Sequence, residues 1–121
     1  MTVGRLGEDE ACRKLGELGH TIVERNWRCG HLEVDIISID HEGIHFVEVK
    51  SRVAPVSAEP EENVTALKQR RIVAAANGYL HSCKMRNFMA MDVFFDVISV
   101  IFEGERTEVT YFPQAYMPIY T

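Results

Sequence analysis

The chain has 121 residues, 46% of them hydrophobic and 26% charged, which suits one domain with one core and excludes a disordered, collagen-like or disulfide-built protein. Thirteen Lys and Arg against 18 Asp and Glu give a formal charge of -5. That argues against a protein that coats nucleic acid by bulk positive charge, but it leaves room for carboxylates that hold a metal. No apolar run approaches the roughly 20 residues of a membrane span, since Val93 to Phe102 is broken by Asp96 and Ser99. The opening MTVGRLGEDE turns acidic where a secretory leader would be apolar, so a cytoplasmic protein with no membrane partner is expected. Cys12, Cys29 and Cys83 are an odd set with no CxxC pair and are expected as reduced thiols.

Ala11, Cys12, Leu15 and Leu18 recur at three- and four-residue steps with Gly19 beyond, predicting a short amphipathic helix over Glu8 to Leu18. Glu8 then emerges on its apolar face, either complementing the helix dipole in the first turn or pointing toward the core. Thr21 to Val23 reads as a short extended piece, and Asn26-Trp27-Arg28-Cys29-Gly30 as a turn or loop. Leu32 to Ile39 and Ile44 to Lys50 are rich in Val, Ile and Phe and flank Asp40-His41-Glu42-Gly43, which predicts an antiparallel hairpin. Ala54 to Glu62, with Pro55 and Pro60, reads as a surface loop.

Asn63 to Leu80 returns to helical spacing, with Val64, Leu67, Ile72, Ala75, Ala76 and Tyr79 as the buried side and Lys68, Gln69, Arg70 and Arg71 interrupting it. Val93 to Phe102 has the pattern of a strand covered on both faces, and Thr107 to Phe112 pairs with it through Glu103-Gly104-Glu105-Arg106. The order helix, two strands, helix, two strands predicts an α/β protein, a mixed sheet flanked by helices in a single domain over residues 1–121. The tail from Tyr111-Phe112 to Ile119-Tyr120 is expected to pack on its own domain.

The hairpin carries the chemistry. A turn centred between His41 and Glu42 places Asp35 opposite Glu48 and Glu33 opposite Lys50, and alternation brings all four side chains to one face. Directly opposed like charges are destabilising, so Asp35 and Glu48 call for a shared proton, a nearby Lys or Arg, or a divalent cation held by both. Lys50 on that face suits a water to be oriented or a charge developing on a phosphate; alternatively it simply pairs with Glu33 on a solvated face. A one-residue bulge would instead send the acids to opposite faces.

Asp35 followed by Glu48-Val49-Lys50 resembles the PD-(D/E)XK nuclease superfamily. More closely, GEDEACRKLGELGHTIVERNWR, LEVDIISID, HFVEVKSR, the Lys68-bearing helix ending in Tyr79-Leu80, and FDVISV together resemble the bacterial YraN-like family, assigned as endonucleases by fold and motif. The resemblance runs from about Gly4 to Val100. It implies a restriction-endonuclease-like core and a metal-dependent endonuclease that hydrolyses phosphodiester bonds, structured or branched DNA among its substrates and DNA favoured over RNA. It further implies Mg²⁺ or Mn²⁺ held by Asp35, Glu48, the Val49 carbonyl and Glu8, with Lys50 as the catalytic lysine and Lys68 as an added basic group facing phosphate. Nucleases of this type often act as homodimers. Leu32 stands where the family usually has glycine, and Phe94 where arginine is common.

Arg52, Lys68, Arg70 and Arg71 are further candidates to flank a phosphate path. His20, His31, His41, His45 and His81 show no metal-ligand spacing and are assigned surface or packing roles, with His45 opposite the acidic face. Trp27 reads as a core or rim anchor, or as a platform for a base. The alternative function is a non-catalytic nucleic-acid-binding or assembly module on the same fold, against which stands the completeness of Glu8, Asp35, Glu48 and Lys50.

Overall fold

A computed structural model describes residues 2–55, 64–82 and 91–117. In chain order the elements are α1 (Val3–Glu17), β1 (Thr21–Cys29), β2 (Leu32–Ile39), β3 (Gly43–Val53), α2 (Ala66–Leu80), β4 (Asp92–Glu103) and β5 (Arg106–Phe112). Three strands, not two, therefore precede α2. The segment Asn26 to Cys29, expected as a loop, is the second half of β1, because it pairs with β2 as far as Cys29–Leu32 across a turn at Gly30 and His31. Cross-strand partners thus override the local turn signal of Asn26 and Gly30.

The five strands lie in the order β1-β2-β3-β4-β5, with β3 and β4 parallel and the other pairs antiparallel. The parallel pair is joined through α2, as parallel neighbours must be joined by a crossover. Alternation along the strands sends side chains into two cores. Phe46, Phe95, Val97 and Ile37 meet Ile72, Ala75, Ala76 and Tyr79 of α2, while Ile36, Val47, Ile98 and Val100 meet Ala11 and Leu15 of α1. The helices therefore cover opposite faces of a mixed sheet, an α/β fold compatible with a restriction-endonuclease-like core. β4 is covered on both sides, as its apolar run predicts.

α1 begins at Val3, with the Thr2 hydroxyl accepting the Arg5 N–H at 3.1 Å, five residues before the expected start. Gly4 and Gly7 disguise this first stretch because glycine is a poor helix former, yet Gly7 is required by packing: a Cβ there would lie 1.7 Å from the Ser51 Oγ on β3. Glu8 consequently sits in the second turn and does not complement the dipole. The helix ends at Glu17 with Leu18 as its C-cap, and Gly19, at φ 93, turns the chain as expected.

α2 starts at Ala66 behind Thr65. Leu67 is 51% exposed, contrary to its expected burial, whereas Val73 joins the core. The helix is rotated so that the row Lys68, Ile72, Ala75 and Tyr79 faces the sheet. Trp27 is a core anchor, edge-on to Tyr79 with ring centroids 5.1 Å apart. After β5 the chain folds back on its own sheet: the Ala115 N–H donates to the Phe95 carbonyl at 2.8 Å, and Tyr116 stacks on the Phe95 ring. Most of the expected loop at Ala54 to Glu62, together with Asn63, Cys83 and the tail end at Ile119-Tyr120, lies outside the described residues.

Candidate active site

The β2–β3 ladder runs from Ile39–Ile44 to Ile36–Val47, the register expected from the Asp40–Gly43 turn. In that turn the Asp40 carboxylate accepts the Glu42 and Gly43 N–H groups. One pair further along, Asp35 faces Glu48, and here the strands depart from a regular ladder. The Val49 N–H donates to the Asp35 Oδ2 at 2.9 Å, so a side chain takes the place of a backbone acceptor. Burial, the charge of Glu48 and a hydrogen bond to it push the Asp35 carboxyl up to about 7, against the pull of the Val49 N–H. Two carboxyls thus lie against one another within hydrogen-bonding range.

A coordinated kink marks this point. Arg25 and Ile36 are paired and face α1, where Arg25 binds Asp9 at 2.8 Å and Ile36 joins the α1-side core. Trp27 and Val34, paired two residues along, should by alternation face α1 too, but both lie in the α2-side core. The switch falls at Asn26 and Asp35, and Asn26 has φ 52, a left-handed conformation that Asn tolerates better than most residues. Asn26 also donates its side-chain amide to Glu8 Oε1 at 2.9 Å, with Arg25 Nη2 3.6 Å from the same oxygen. Glu8 is therefore tethered beside the pair rather than packed into the core, within electrostatic range of Asp35.

From the other face comes Lys68 of α2, its Nζ 2.5 Å from Glu48 Oε1. Burial works against this ammonium, but Glu48, with Asp35 and Glu33 behind it, holds its pKa above the usual range. Lys50 follows Glu48 by two residues on β3, beside Ser99 of β4. The expected opposition of Glu33 and Lys50 lies beyond the ladder, and Glu33 instead pairs with Arg28 of β1 at 2.9 Å. Arg52 is partly buried, with Nε and Nη2 lacking hydrogen-bond partners among the described residues. Arg71 is exposed on α2. The structure thus gathers Glu8, Asp35, Glu48, Val49 and Lys68, keeps Lys50 next along β3, and leaves Arg71 at the surface.

The family model for Uncharacterised protein family UPF0102 matches residues 7–100. The chain belongs to this family. A UPF0102 protein of Clostridium perfringens strain 13 is 39% identical over 117 residues, covering 95% of this chain and 93% of the relative. One of Clostridium kluyveri is 43% identical over 100 residues, 83% and 80% of the two chains, and one of Bacteroides thetaiotaomicron is 36% identical over 116 residues, 96% and 93%. UPF0102 is the YraN family, so the resemblance seen in the sequence holds. The matched stretch contains Glu8, Asp35, Glu48, Lys50 and Lys68.

This UPF0102 member has a second polar cluster that sequence spacing did not reveal. On the α1 side of the sheet, opposite the acidic face as expected for His45, His20, just past α1, and His45 of β3 are buried and pack together with ring centroids 4.5 Å apart. His45 Nδ1 lies 2.6 Å from Asp96 Oδ2 and its Nε2 2.8 Å from Asp40 Oδ1. Burial opposes charge on His45, but the hydrogen bonds its ring can donate to Asp96 and Asp40 raise its pKa; burial and the neighbouring His45 lower that of His20. Asp40 is held below the usual carboxylate range, its burial outweighed by His45 and the Glu42 and Gly43 N–H groups. Only the Asp40 turn was visible in sequence.

Proposed function

We propose that this protein is a Mg²⁺- or Mn²⁺-dependent endonuclease that hydrolyses nucleic-acid phosphodiester bonds, structured or branched DNA among its substrates. The observation that carries the reading is the Asp35–Glu48 pair at the point where β2 and β3 part: two buried acids lie side by side and Lys68 binds Glu48, with the lysine of Glu48-Val49-Lys50 next on the strand. An all-oxygen donor set fits a hard divalent cation. Asp35 and Glu48 would hold it with the Val49 carbonyl, and Glu8 would complete the set. Such a cation, when bound, supplies Lewis-acid stabilisation of the phosphate and lowers the pKa of water.

The chain's own groups do the remainder. Lys50 orients the attacking water and stabilises charge developing on phosphorus-bound oxygen. Lys68, which binds Glu48 here, would be available to a phosphate oxygen were a cation to offset that acid. Arg52, partly buried on β3, and Arg71, exposed on α2, would add positive charge along the path of the substrate. One site cuts one strand, so cleavage of duplex DNA would call for a homodimer.

The test is cleavage of single-stranded, duplex, flapped and branched DNA, and of RNA, with Mg²⁺ or Mn²⁺. Wild type should cut at least one substrate, and Lys50→Ala should lose roughly 10²–10³ in rate while binding Mn²⁺ as wild type does in calorimetry. If wild type cuts none of them, and binds none at low salt with Ca²⁺ present, the reading gives way to a non-catalytic assembly module.

A further inference from the structure

In the α1-side cluster an imidazole stands between two carboxylates that already have other donors. Asp96 accepts the Tyr111 hydroxyl at 2.5 Å on the oxygen that meets His45, and the Gln114 N–H at 2.9 Å on the other. Asp40 Oδ1 accepts the Glu42 and Gly43 N–H groups at 2.9 and 3.2 Å. A neutral imidazole has a single N–H, so if it serves Asp96 it turns a lone pair toward Asp40. The 2.8 Å contact between His45 Nε2 and Asp40 therefore calls for a cation at that point, either a second proton or a metal. A second imidazole converges on the same carboxylate, with His20 Nε2 3.4 Å from Asp40 Oδ2.

We propose that His20 Nε2, His45 Nε2 and the Asp40 carboxylate form a binding site for an imidazole-preferring divalent transition metal, Zn²⁺ foremost, separate from the Asp35–Glu48 site. The ligand atoms of the three residues lie within 4.8 Å of one another. A tetrahedral ion with ligands at about 2.0–2.2 Å spaces its donors roughly 3.3–3.5 Å apart. His20 Nε2 stands 3.4 Å from Asp40 Oδ2 and His45 Nε2 2.8 Å from Asp40 Oδ1, so the two imidazoles meet different oxygens of one carboxylate, and an ion would draw one of those oxygens to both rings by a small rotation of the carboxylate and a slight parting from His45.

The ring nitrogens not used for the metal are both held, His45 Nδ1 by Asp96 and His20 Nδ1 by Ser38 Oγ at 2.9 Å. Such outer partners fix the tautomer and orientation of metal-binding imidazoles. A cavity of ≈ 420 Å³ borders the three ligands together with Phe94, Tyr111 and Gln114, leaving space for an exchangeable fourth ligand such as water. Two imidazoles favour Zn²⁺ over Mg²⁺, the opposite preference to an all-oxygen set. His45 and Glu48, three residues apart on β3, project to opposite faces of the sheet, so the two sites fill independently, and this one does not rest on the nuclease reading.

The experiment is titration of the full chain with Co²⁺, whose visible absorption reports tetrahedral ligation, followed by competition with Zn²⁺. Wild type should take up a single equivalent with a tetrahedral nitrogen–oxygen spectrum that Zn²⁺ abolishes, and the Asp35→Asn, Glu48→Gln double variant should behave alike. His20→Ala and Asp40→Asn should each weaken binding by at least about tenfold, since even outer-partner losses cost that much. If either variant fails to fold by circular dichroism, the wild-type spectrum decides alone. A wild type with no Zn²⁺-displaceable band, leaving His45 as a doubly clamped imidazolium, would overturn the site. So would a sulfur-to-cobalt charge-transfer band, which places the ion on cysteine, or wild-type affinity in a folded His20→Ala protein.

Discussion

Asp96 and Asp35 are both acids withdrawn from solvent within strands of one sheet, yet their surroundings differ in kind. Asp96 is fully buried, and His45, Tyr111 and the Gln114 backbone all serve its two oxygens. Asp35 receives the Val49 N–H and otherwise confronts a second acid. The first arrangement is closed, because donors are matched to acceptors and nothing further is needed to keep the charge inside. In the second, two acids lie together, and Lys68 reaches across from α2 to Glu48. One sheet thus holds both arrangements, a carboxylate on β4 whose acceptors are all served and a pair on β2 and β3 set against each other.

The largest effect should come from breaking the closed arrangement. Asp96→Ala would strand the His45 imidazole and the Tyr111 hydroxyl and should cost about 3–5 kcal/mol in urea denaturation. Asp96→Asn, which keeps an acceptor, should cost less. A loss as small as that of an ordinary surface substitution would show that the network contributes little and would remove the contrast.

Asp35→Asn should act with the opposite sign. With its carboxyl pushed up to about 7 from an ordinary 3.8, the metal-free folded state holds a proton that the unfolded chain has already released. Wild-type stability therefore falls as pH rises from about 4 to 7 and levels off above that. The variant cannot ionise there, so it should be more stable than wild type at pH 8, by on the order of a few kcal/mol, with the gain vanishing near pH 4. Denaturant midpoints at the two pH values, with chelator present, check this; a variant less stable than wild type at pH 8 would mean that Asp35 is a structural acceptor after all. The same substitution should reduce Mn²⁺ affinity in calorimetry.

The smallest effect concerns the open side of the acidic pair. Lys68→Ala with Arg71→Ala should weaken DNA binding in Ca²⁺ uniformly across sequences and reduce the salt slope by about one for each phosphate that the two side chains neutralise in wild type. An unchanged slope would confine Lys68 to its ion pair with Glu48.

The β2–β3 register was legible because both of its determinants are local, the Asp40–Gly43 turn and the two-residue period of a strand, and these already place Asp35 against Glu48. The extent of α1 and β1 was less so. Gly4 and Gly7 weaken the helical pattern where close packing on Ser51 demands a missing Cβ, and Asn26 mimics a turn inside a paired strand. Leu67 looked buried and is exposed, because helical spacing leaves the rotation of a short apolar stripe undetermined until it meets a sheet.

What the sequence determined by itself is the family, the α/β alternation and the set of acids and lysine along two neighbouring strands, all carried by residues close together in the chain. Only the tertiary structure decided that Glu8 is tethered by Asn26, that Lys68 closes on Glu48, and that His20, Asp40, His45 and Asp96 meet. His45 and Asp96 are 51 residues apart, and they become neighbours because β4 lies parallel to β3 in one particular register. That pairing is set by the burial of two apolar cores and not by any local pattern around either residue.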